Sequence, residues 1–206
     1  MLTTQVFTLG QLHTNCYLVS NEVTSECILI DPADDGDFLS EKIIEQQLKL
    51  KAIYLTHGHF DHVLGLLSVV TNFNTPAYLH PKDQFLLEKA ASSAQHWLGH
   101  PVDPVPTHAT PYKNEVSLLG ETMRIIHTPG HTPGSVCIYA EQSNLLFSGD
   151  TLFHQAVGRT DTSYGNSHKL YTSIKAILDL PRHTIVLPGH GEPTTIENFK
   201  KWWLQP

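Results

Sequence analysis

Four side chains that can coordinate a metal ion lie within six positions of the sequence, in the segment HGHFDH: His57, His59, Asp61 and His62. Residues i and i+2 lie on the same side of an extended segment but on nearly opposite sides of a helix. His57 and His59 can therefore bind one ion only on an extended loop, which Gly58 favours because glycine lacks a Cβ atom. The alternative is a solvated turn in which Asp61 caps a helix. The crowding of coordinating groups favours a metal site.

Three further coordinating residues each follow an apolar stretch that is typical of a buried strand. They are His131 in IIHTPGHTPGS, Asp150 in LLFSGDTLF and His190 in IVLPGHGEP. Rigid strands can hold such side chains at their carboxyl ends. Any one of them could be an ordinary loop histidine or an aspartate in an Asx-turn. The repetition of this form in several segments favours a metal site that is built from distant parts of the chain.

The apolar pattern also predicts the elements that must position these side chains. Apolar stretches predict strands at residues 4–10, 15–20, 27–33, 51–56, 76–80, 115–119, 123–128, 135–140, 144–149 and 184–189. Helical spacing predicts helices at residues 36–50, 62–70, 81–91, 167–180 and 194–203. Residues 92–112 are interpreted as a long surface loop, which could form one wall of a substrate cleft. Strands and helices alternate without a linker, so the sequence predicts a single α/β domain over residues 1–206.

Composition and charge exclude several classes of partner. The formal net charge is -7 and no basic cluster is present, which argues against a nucleic acid or an anionic membrane. No stretch approaches the roughly 18 apolar residues of a membrane span. The first residues lack the pattern of a signal peptide, so a cytoplasmic location is expected. Cys16, Cys27 and Cys137 each lie in an apolar stretch and are predicted to be buried free thiols.

The motif set as a whole resembles a known family. Asp31 in LIDPADD, the HGHFDH segment, His131, Asp150 and His190 match, in order and spacing, the five sequence motifs of the metallo-β-lactamase superfamily. The resemblance covers nearly the whole chain. It implies an αββα four-layer sandwich with two divalent metal ions along one edge. It also assigns the ligands: His57, His59 and His131 to one ion, Asp61, His62 and His190 to the other, Asp150 as the bridge between them, and Asp31 as a residue that supports the ligands without binding metal.

The ligand types indicate the chemistry of such a centre. Imidazole and carboxylate ligands suit zinc, and also iron or manganese. Two ions about 3.5–4 Å apart can share a water molecule and lower its pKa toward about 7. The resulting metal-bound hydroxide attacks the substrate, with Asp61 and Asp150 as the carboxylates that hold the catalytic ions. The sequence therefore predicts a hydrolase without a serine or cysteine nucleophile.

The segments HTPGHTPGS and GRTD are similar to those of glyoxalase II (hydroxyacylglutathione hydrolase) and its short bacterial relatives. This resemblance implies a small-molecule thioester substrate, such as S-lactoylglutathione. Arg159 could bind a substrate carboxylate, or it could be a structural arginine that pairs with Asp161. The sequence ends after one helix, whereas full-length glyoxalase II has a further helical domain that helps to hold glutathione, so recognition of glutathione stays open.

Two alternatives to a thioesterase remain at this stage. A persulfide dioxygenase of the same family would use a single iron ion on His57, His131 and Asp150. A non-catalytic module would keep the fold or a structural metal, although a structural site is normally closed and uses four ligands. The presence of all seven candidate ligands argues against this second alternative. We expect a monomer or a small homo-oligomer.

Overall fold

The computed structural model describes residues 2–205. These residues form two compact units, one that ends at Tyr112 and one that begins at Lys113. Each unit contains a six-stranded β-sheet and a hydrophobic core of its own. The single domain expected over residues 1–206 stays a prediction.

In the first unit, the described residues form six strands and three α-helices. The strands are β1 (Leu2–Leu9), β2 (Thr14–Asn21), β3 (Glu26–Ile30), β4 (Lys49–Tyr54), β5 (Ala77–Leu79) and β6 (Thr110–Pro111), side by side in that order. The helices are α1 (Gly36–Glu45), α2 (Leu66–Phe73) and α3 (Gln84–Leu98). Strands β1 to β3 are antiparallel, whereas β3 to β6 are parallel. One helix joins each parallel pair, as parallel pairing requires a crossover.

This parallel pairing brings two motifs together in the first unit. Asp31 follows β3 directly and HGHFDH follows β4 after Leu55 and Thr56. Neighbouring parallel strands end at the same edge of a sheet, and the Asp31 N–H donates to the Tyr54 carbonyl at 3.0 Å. The central strands β2 and β3 are buried along almost their whole length, which is typical of strands covered on both faces.

In the second unit, the described residues form eight strands and two α-helices. The strands are β7 (Glu115–Leu118), β8 (Glu121–His127), β9 (Val136–Ala140), β10 (Leu145–Gly149), β11 (Leu152–Phe153), β12 (Ala156–Val157), β13 (Ile185–Pro188) and β14 (Thr194–Thr195). The helices are α4 (Ser167–Ile177) and α5 (Ile196–Trp203). The sheet order is β14-β13-β10-β9-β8-β7, and β11 and β12 form a separate hairpin. Strands β10 and β13 are parallel, so Asp150 and His190 follow strand ends at one sheet edge.

Every predicted strand has a counterpart in the structure, and burial explains the agreement. Apolar runs such as Val136–Ala140 are buried at every position. Cys16, Cys27 and Cys137 are buried free thiols, as predicted. Burial raises the pKa of the Cys27 thiol to about 12 and that of the Cys137 thiol to about 11, so neither is a thiolate at neutral pH.

The predicted surface loop over residues 92–112 is wrong at both ends, since its first third belongs to helix α3 and residues 110–111 form strand β6. After a 3-10 turn (Pro81–Asp83), helix α3 continues to Leu98. Ala90 and Ala94, one helical turn apart, are both buried and prolong the packed face. Gly99 then ends the helix in a left-handed conformation with φ 76°. The helix end depends on this packing rather than on the polar residues at 92 and 93.

The other four predicted helices also differ in their bounds. Helix α4 ends at Ile177 rather than at residue 180, and α5 begins at Ile196 because Thr194 and Thr195 form β14. The helix predicted at 36–50 ends at Glu45, because Lys49 already pairs with Glu26 of β3. The helix predicted at 62–70 starts later, at Leu66, and a separate 3-10 turn (Phe60–His62) precedes it. No helix in the part of the chain that the structure describes is long and apolar enough to cross a bilayer.

Candidate metal centre

The loop after β4 places two imidazoles side by side. His59 has an extended backbone (φ -68°, ψ 146°), as the i, i+2 spacing predicts. His57 Nε2 and His59 Nδ1 lie 3.0 Å apart. Ligand atoms that bind one ion at about 2.0–2.2 Å lie about 3 to 3.5 Å apart in tetrahedral or octahedral geometry. The two imidazoles are therefore spaced as ligands of one ion.

The loop requires glycine at position 58, because its surroundings leave no room for a side chain. A Cβ atom at position 58 would lie 2.8 Å from the Asp83 carbonyl oxygen and 2.8 Å from Leu86 Cβ. The Gly58 N–H donates to Asp83 Oδ2 at 3.1 Å. The glycine between the two histidines thus allows the start of helix α3 to approach the loop.

The buried Asp31 carboxylate sets the tautomer of His57 through Thr56. The Thr56 hydroxyl donates its single proton to Asp31 Oδ2 at 2.7 Å. It can therefore only accept from His57 Nδ1, which lies 3.1 Å away. His57 Nδ1 then carries the ring proton, and Nε2 presents its lone pair beside His59.

The same carboxylate orients His62 directly. His62 Nδ1 donates to Asp31 Oδ2 at 2.9 Å, and both side chains are buried. His62 Nε2 therefore presents a lone pair, 3.5 Å from Asp61 Oδ2. Metal-binding histidines commonly donate their other ring nitrogen to a carboxylate in this way. Asp31 thus contacts a candidate ligand directly, and its role as a supporting residue stays a prediction.

Asp61 and His62 share the 3-10 turn, and Asp61 Oδ2 lies 3.5 Å from His62 Nε2. Thr14, which is buried at the start of β2, donates from Oγ1 to Asp61 Oδ2 at 3.0 Å. This contact fixes the carboxylate beside His62 Nε2. The first unit thus offers two pairs of ligand atoms: His57 with His59, and Asp61 with His62.

In the second unit, Asp150 lies between two histidines. Asp150 Oδ2 is 3.4 Å from His131 Nε2 and 3.7 Å from His190 Nε2. His131 Nδ1 donates to the Arg159 carbonyl at 2.9 Å, so His131 Nε2 presents a lone pair toward Asp150. One carboxylate oxygen between two imidazoles is the arrangement that a bridging ligand needs.

The GRTD segment is packed against this part of the centre. A Cβ atom at Gly158 would lie 1.9 Å from the Asp150 carbonyl oxygen, so only glycine lets the segment fold back. Arg159 pairs with Asp161 through Nε–Oδ1 at 2.7 Å and Nη2–Oδ2 at 2.9 Å. These contacts raise the pKa of Arg159 and lower that of Asp161. The paired interpretation of Arg159 is the one that the structure displays.

The donor set of each unit fits a divalent metal ion. The atoms that converge are imidazole nitrogens and carboxylate oxygens, which suit zinc, iron or manganese. Supporting hydrogen bonds turn the lone pairs of His57, His62 and His131 toward neighbouring ligand atoms. Oriented donors of this kind favour a metal site over a solvated turn.

Sequence reasoning missed three supporting residues: Thr14, Thr56 and Asp83. Thr56 has a local signal, because it separates the strand from the first histidine of the motif. Thr14 and Asp83 contact the ligand segment from 47 and 25 residues away, respectively, and carry no local signal.

Comparison with known proteins identifies the family. Residues 9–190 match the sequence profile of the metallo-β-lactamase superfamily. The chain belongs to this superfamily. Its relatives include proteins that are named as hydrolases. YqgX of Bacillus subtilis, a probable metallo-hydrolase, is 36% identical over 91% of this chain and 89% of its own length. The hydroxyacylglutathione hydrolase GloC of Haemophilus influenzae is 34% identical over 91% of this chain and 90% of its own length.

Solved structures of the metallo-β-lactamase superfamily confirm the predicted fold class. BLEG-1, a B3 metallo-β-lactamase, has a TM-score of 0.88 and 37% identity, with 97% of each chain covered. TTHA1623, solved in a di-iron-bound form, has a TM-score of 0.87 and 38% identity, with 96% of this chain and 97% of that chain covered. ETHE1 from Myxococcus xanthus has a TM-score of 0.76 and 25% identity, with 97% and 82% covered. The protein has the α/β metallo-hydrolase fold of this superfamily, whose members bind divalent metals.

Proposed function

We propose that the protein is a dinuclear metal-dependent thioesterase of the hydroxyacylglutathione hydrolase type. The observation that carries the proposal is the placement of Asp150 Oδ2 between His131 Nε2 and His190 Nε2, at 3.4 and 3.7 Å. A carboxylate oxygen flanked by two imidazoles suits a bridge between two ions better than a ligand of one. The similarity to GloC supports the substrate class.

The proposal gives each candidate ligand a place that follows the motifs of the superfamily, and the match to that superfamily supports it. His57, His59 and His131 would hold one ion, Asp61, His62 and His190 would hold the other, and Asp150 would contribute to both. Two divalent ions, with zinc proposed, would supply Lewis acidity there and would lower the pKa of a bound water molecule toward about 7. Iron is the alternative metal, since TTHA1623 was solved in a di-iron-bound form.

Hydrogen bonds within the chain orient the candidate ligands of this centre. Asp31 holds His57, through Thr56, and His62 in the tautomers that present Nε2. The Arg159 carbonyl does the same for His131. Ligands that are oriented beforehand lose little freedom when they bind, and they keep the reacting groups in place.

The cysteines do not offer a competing nucleophile. Cys16, Cys27 and Cys137 are buried, and burial raises the pKa of each thiol. A thiol in such surroundings stays protonated and inert. Hydrolysis by water activated at the centre therefore requires no covalent acyl-enzyme.

Arg159 is the basic residue that we propose for a substrate carboxylate. Its guanidinium is exposed and is held by Asp161 in a fixed orientation. A fixed, planar donor group can still bind a second carboxylate through its remaining N–H groups. This contact would position a small thioester with an anionic tail.

The test combines metal analysis with parallel assays on the purified protein. We expect two metal ions per chain and steady hydrolysis of S-lactoylglutathione, followed through loss of the thioester absorbance. Oxygen uptake with glutathione persulfide and hydrolysis of the β-lactam nitrocefin are measured on the same sample. Thioester hydrolysis no faster than that of the metal-free protein would refute the proposal. Oxygen uptake with one iron ion per chain would instead identify a persulfide dioxygenase.

A further inference from the structure

Asp83 is a fully buried acidic residue outside the ligand set. It lies at the N-terminal end of helix α3, 25 residues from the HGH loop, and its relative exposure is 0%. An aspartate at this position usually accepts a hydrogen bond from its own helix. The Asp83 side chain makes no such cap contact. Its Oδ2 accepts instead from the Gly58 N–H at 3.1 Å.

This contact has a counterpart on the other side of His57. The Thr56 N–H donates to Asp31 Oδ1 at 2.7 Å. The backbone N–H groups immediately before and after His57 are thus both held by buried carboxyl groups, which come from different elements. Asp31 is carried by the end of β3, and Asp83 by the start of α3.

Helix α3 is well placed to act as a rigid support. Leu86 and Leu87 are buried, and α3 packs against the 3-10 turn that carries Asp61 and His62. The tight approach at Gly58 leaves no space for the loop to shift toward the helix. A shift of the start of α3 would therefore also shift Gly58, which lies between His57 and His59.

We propose that Asp83 is a positioning residue that clamps the Gly58 N–H and so keeps His57 Nε2 and His59 Nδ1 at the spacing of two ligands of one ion. This role rests on the metal centre of the proposed function. A bent loop would separate the two imidazoles, because residues i and i+2 share a side only in an extended segment. The clamp therefore acts on metal affinity and not on the reacting atoms.

The test compares Asp83→Ala with Asp83→Asn. We expect Asp83→Ala to weaken zinc binding about 10- to 100-fold, as the loss of a supporting partner typically does. Asp83→Asn retains a carbonyl oxygen of the same reach and should bind zinc within about threefold of the parent chain, because an amide oxygen also accepts from an N–H. Zinc affinity is measured by competition with a chromophoric chelator. The absorption spectrum of the cobalt-substituted protein reports the ligand geometry separately.

Glu121 provides a matched control. It is also a buried carboxylate that clamps a loop, since it accepts from the Ser143 N–H at 2.9 Å and from the Ser143 hydroxyl at 2.8 Å. That loop carries no candidate ligand. Glu121→Ala should lower the melting temperature of the metal-free protein but leave the zinc affinity and the cobalt spectrum unchanged.

The outcomes separate this role from the proposed function. If the parent chain binds no zinc, the proposed function fails. If the parent binds two ions and Asp83→Ala binds them equally tightly, only the role of Asp83 is refuted. Should Asp83→Ala not fold, Asp83→Ser replaces it under the same criterion, because its hydroxyl keeps a polar group at the site but does not reach Gly58.

Discussion

Replacing Asp31 with asparagine should disable ligands of both proposed metal ions without unfolding the protein. The carboxylate accepts from the Thr56 N–H at 2.7 Å, the Thr56 hydroxyl at 2.7 Å and His62 Nδ1 at 2.9 Å. An asparagine offers one acceptor oxygen and one NH₂ donor group. In either orientation of the amide, the NH₂ group faces a donor that the carboxylate had satisfied.

A change in the tautomer of His62 would remove this conflict between two donors. If the amide introduced at position 31 donates to His62 Nδ1, the ring proton moves to Nε2, which can then no longer bind a metal ion. A wrong tautomer of this kind is costly even where the geometry is preserved. We expect zinc binding to weaken about 10- to 100-fold, or about 1.4–2.8 kcal/mol. One mispaired buried donor costs about 1–3 kcal/mol of stability, less than the roughly 5–15 kcal/mol of a typical domain.

The measurement has three readouts on Asp31→Asn. Chelator competition gives the zinc affinity, and thermal unfolding of the metal-free protein gives its stability. Long-range ¹H–¹⁵N NMR of the imidazoles shows which ring nitrogen carries the proton. Asp34→Asn is the control, because Asp34 lies in the same loop and its Oδ1 accepts from the Asp35 N–H rather than from a histidine. Zinc affinity within about twofold of the parent, with His62 still protonated at Nδ1, would refute the reasoning, because loss of a supporting partner should cost at least about tenfold.

The other predictions concern the bridge, the arginine and the thiols. Asp150→Ala should deplete both metal ions and abolish thioester hydrolysis, and elemental analysis that still finds two ions per chain would contradict the bridging role. Arg159→Ala should raise KM for a carboxylate-bearing thioester more than it lowers kcat, because uniform binding is lost. Its pair with Asp161 is exposed and screened by solvent, so the substitution should change stability little. Unchanged kinetics would make Arg159 a structural residue. Burial raises the pKa of the Cys27 thiol from 9.0 to about 12 in the folded protein. As the pH rises, the unfolded chain therefore loses this proton first. The free energy of unfolding should fall by about 1.4 kcal/mol per pH unit between these two values. Urea unfolding from about pH 8 to about pH 11 measures the slope, which Cys27→Ala should reduce; an identical slope would contradict the burial argument.

Much of the candidate site could be predicted from short-range pattern alone. The i, i+2 spacing of His57 and His59 requires an extended loop, and Gly58 is compatible with it. The structure has this loop. His131, Asp150 and His190 are predicted as ligands because each follows an apolar stretch, and each of these stretches is a strand in the structure, namely β8, β10 and β13. These inferences succeed because strand formation and side-chain direction depend on neighbours within a few residues.

The end of α3 shows where such reasoning fails. Polar and small residues at 92–95 are typical of a loop, yet the helix continues to Leu98 because Ala90 and Ala94 are buried against the core. Propensity is a weak guide where tertiary burial decides. The same applies to the boundary at Glu45, where pairing of the following residues in β4 ends the helix.

The sequence by itself determined the types of the candidate ligands, their order along the chain and the strands that end near them, because each depends on local composition and period. Only the tertiary structure decided how those ligands are held. Thr14 contacts Asp61 from 47 residues away. Asp31 contacts Thr56, the residue before the HGHFDH segment, from 25 residues away. Asp83 contacts Gly58, also from 25 residues away. Each contact exists because strand pairing and helix packing bring distant segments together, and a buried polar group must then find a partner. No local sequence pattern indicates which residue that partner is.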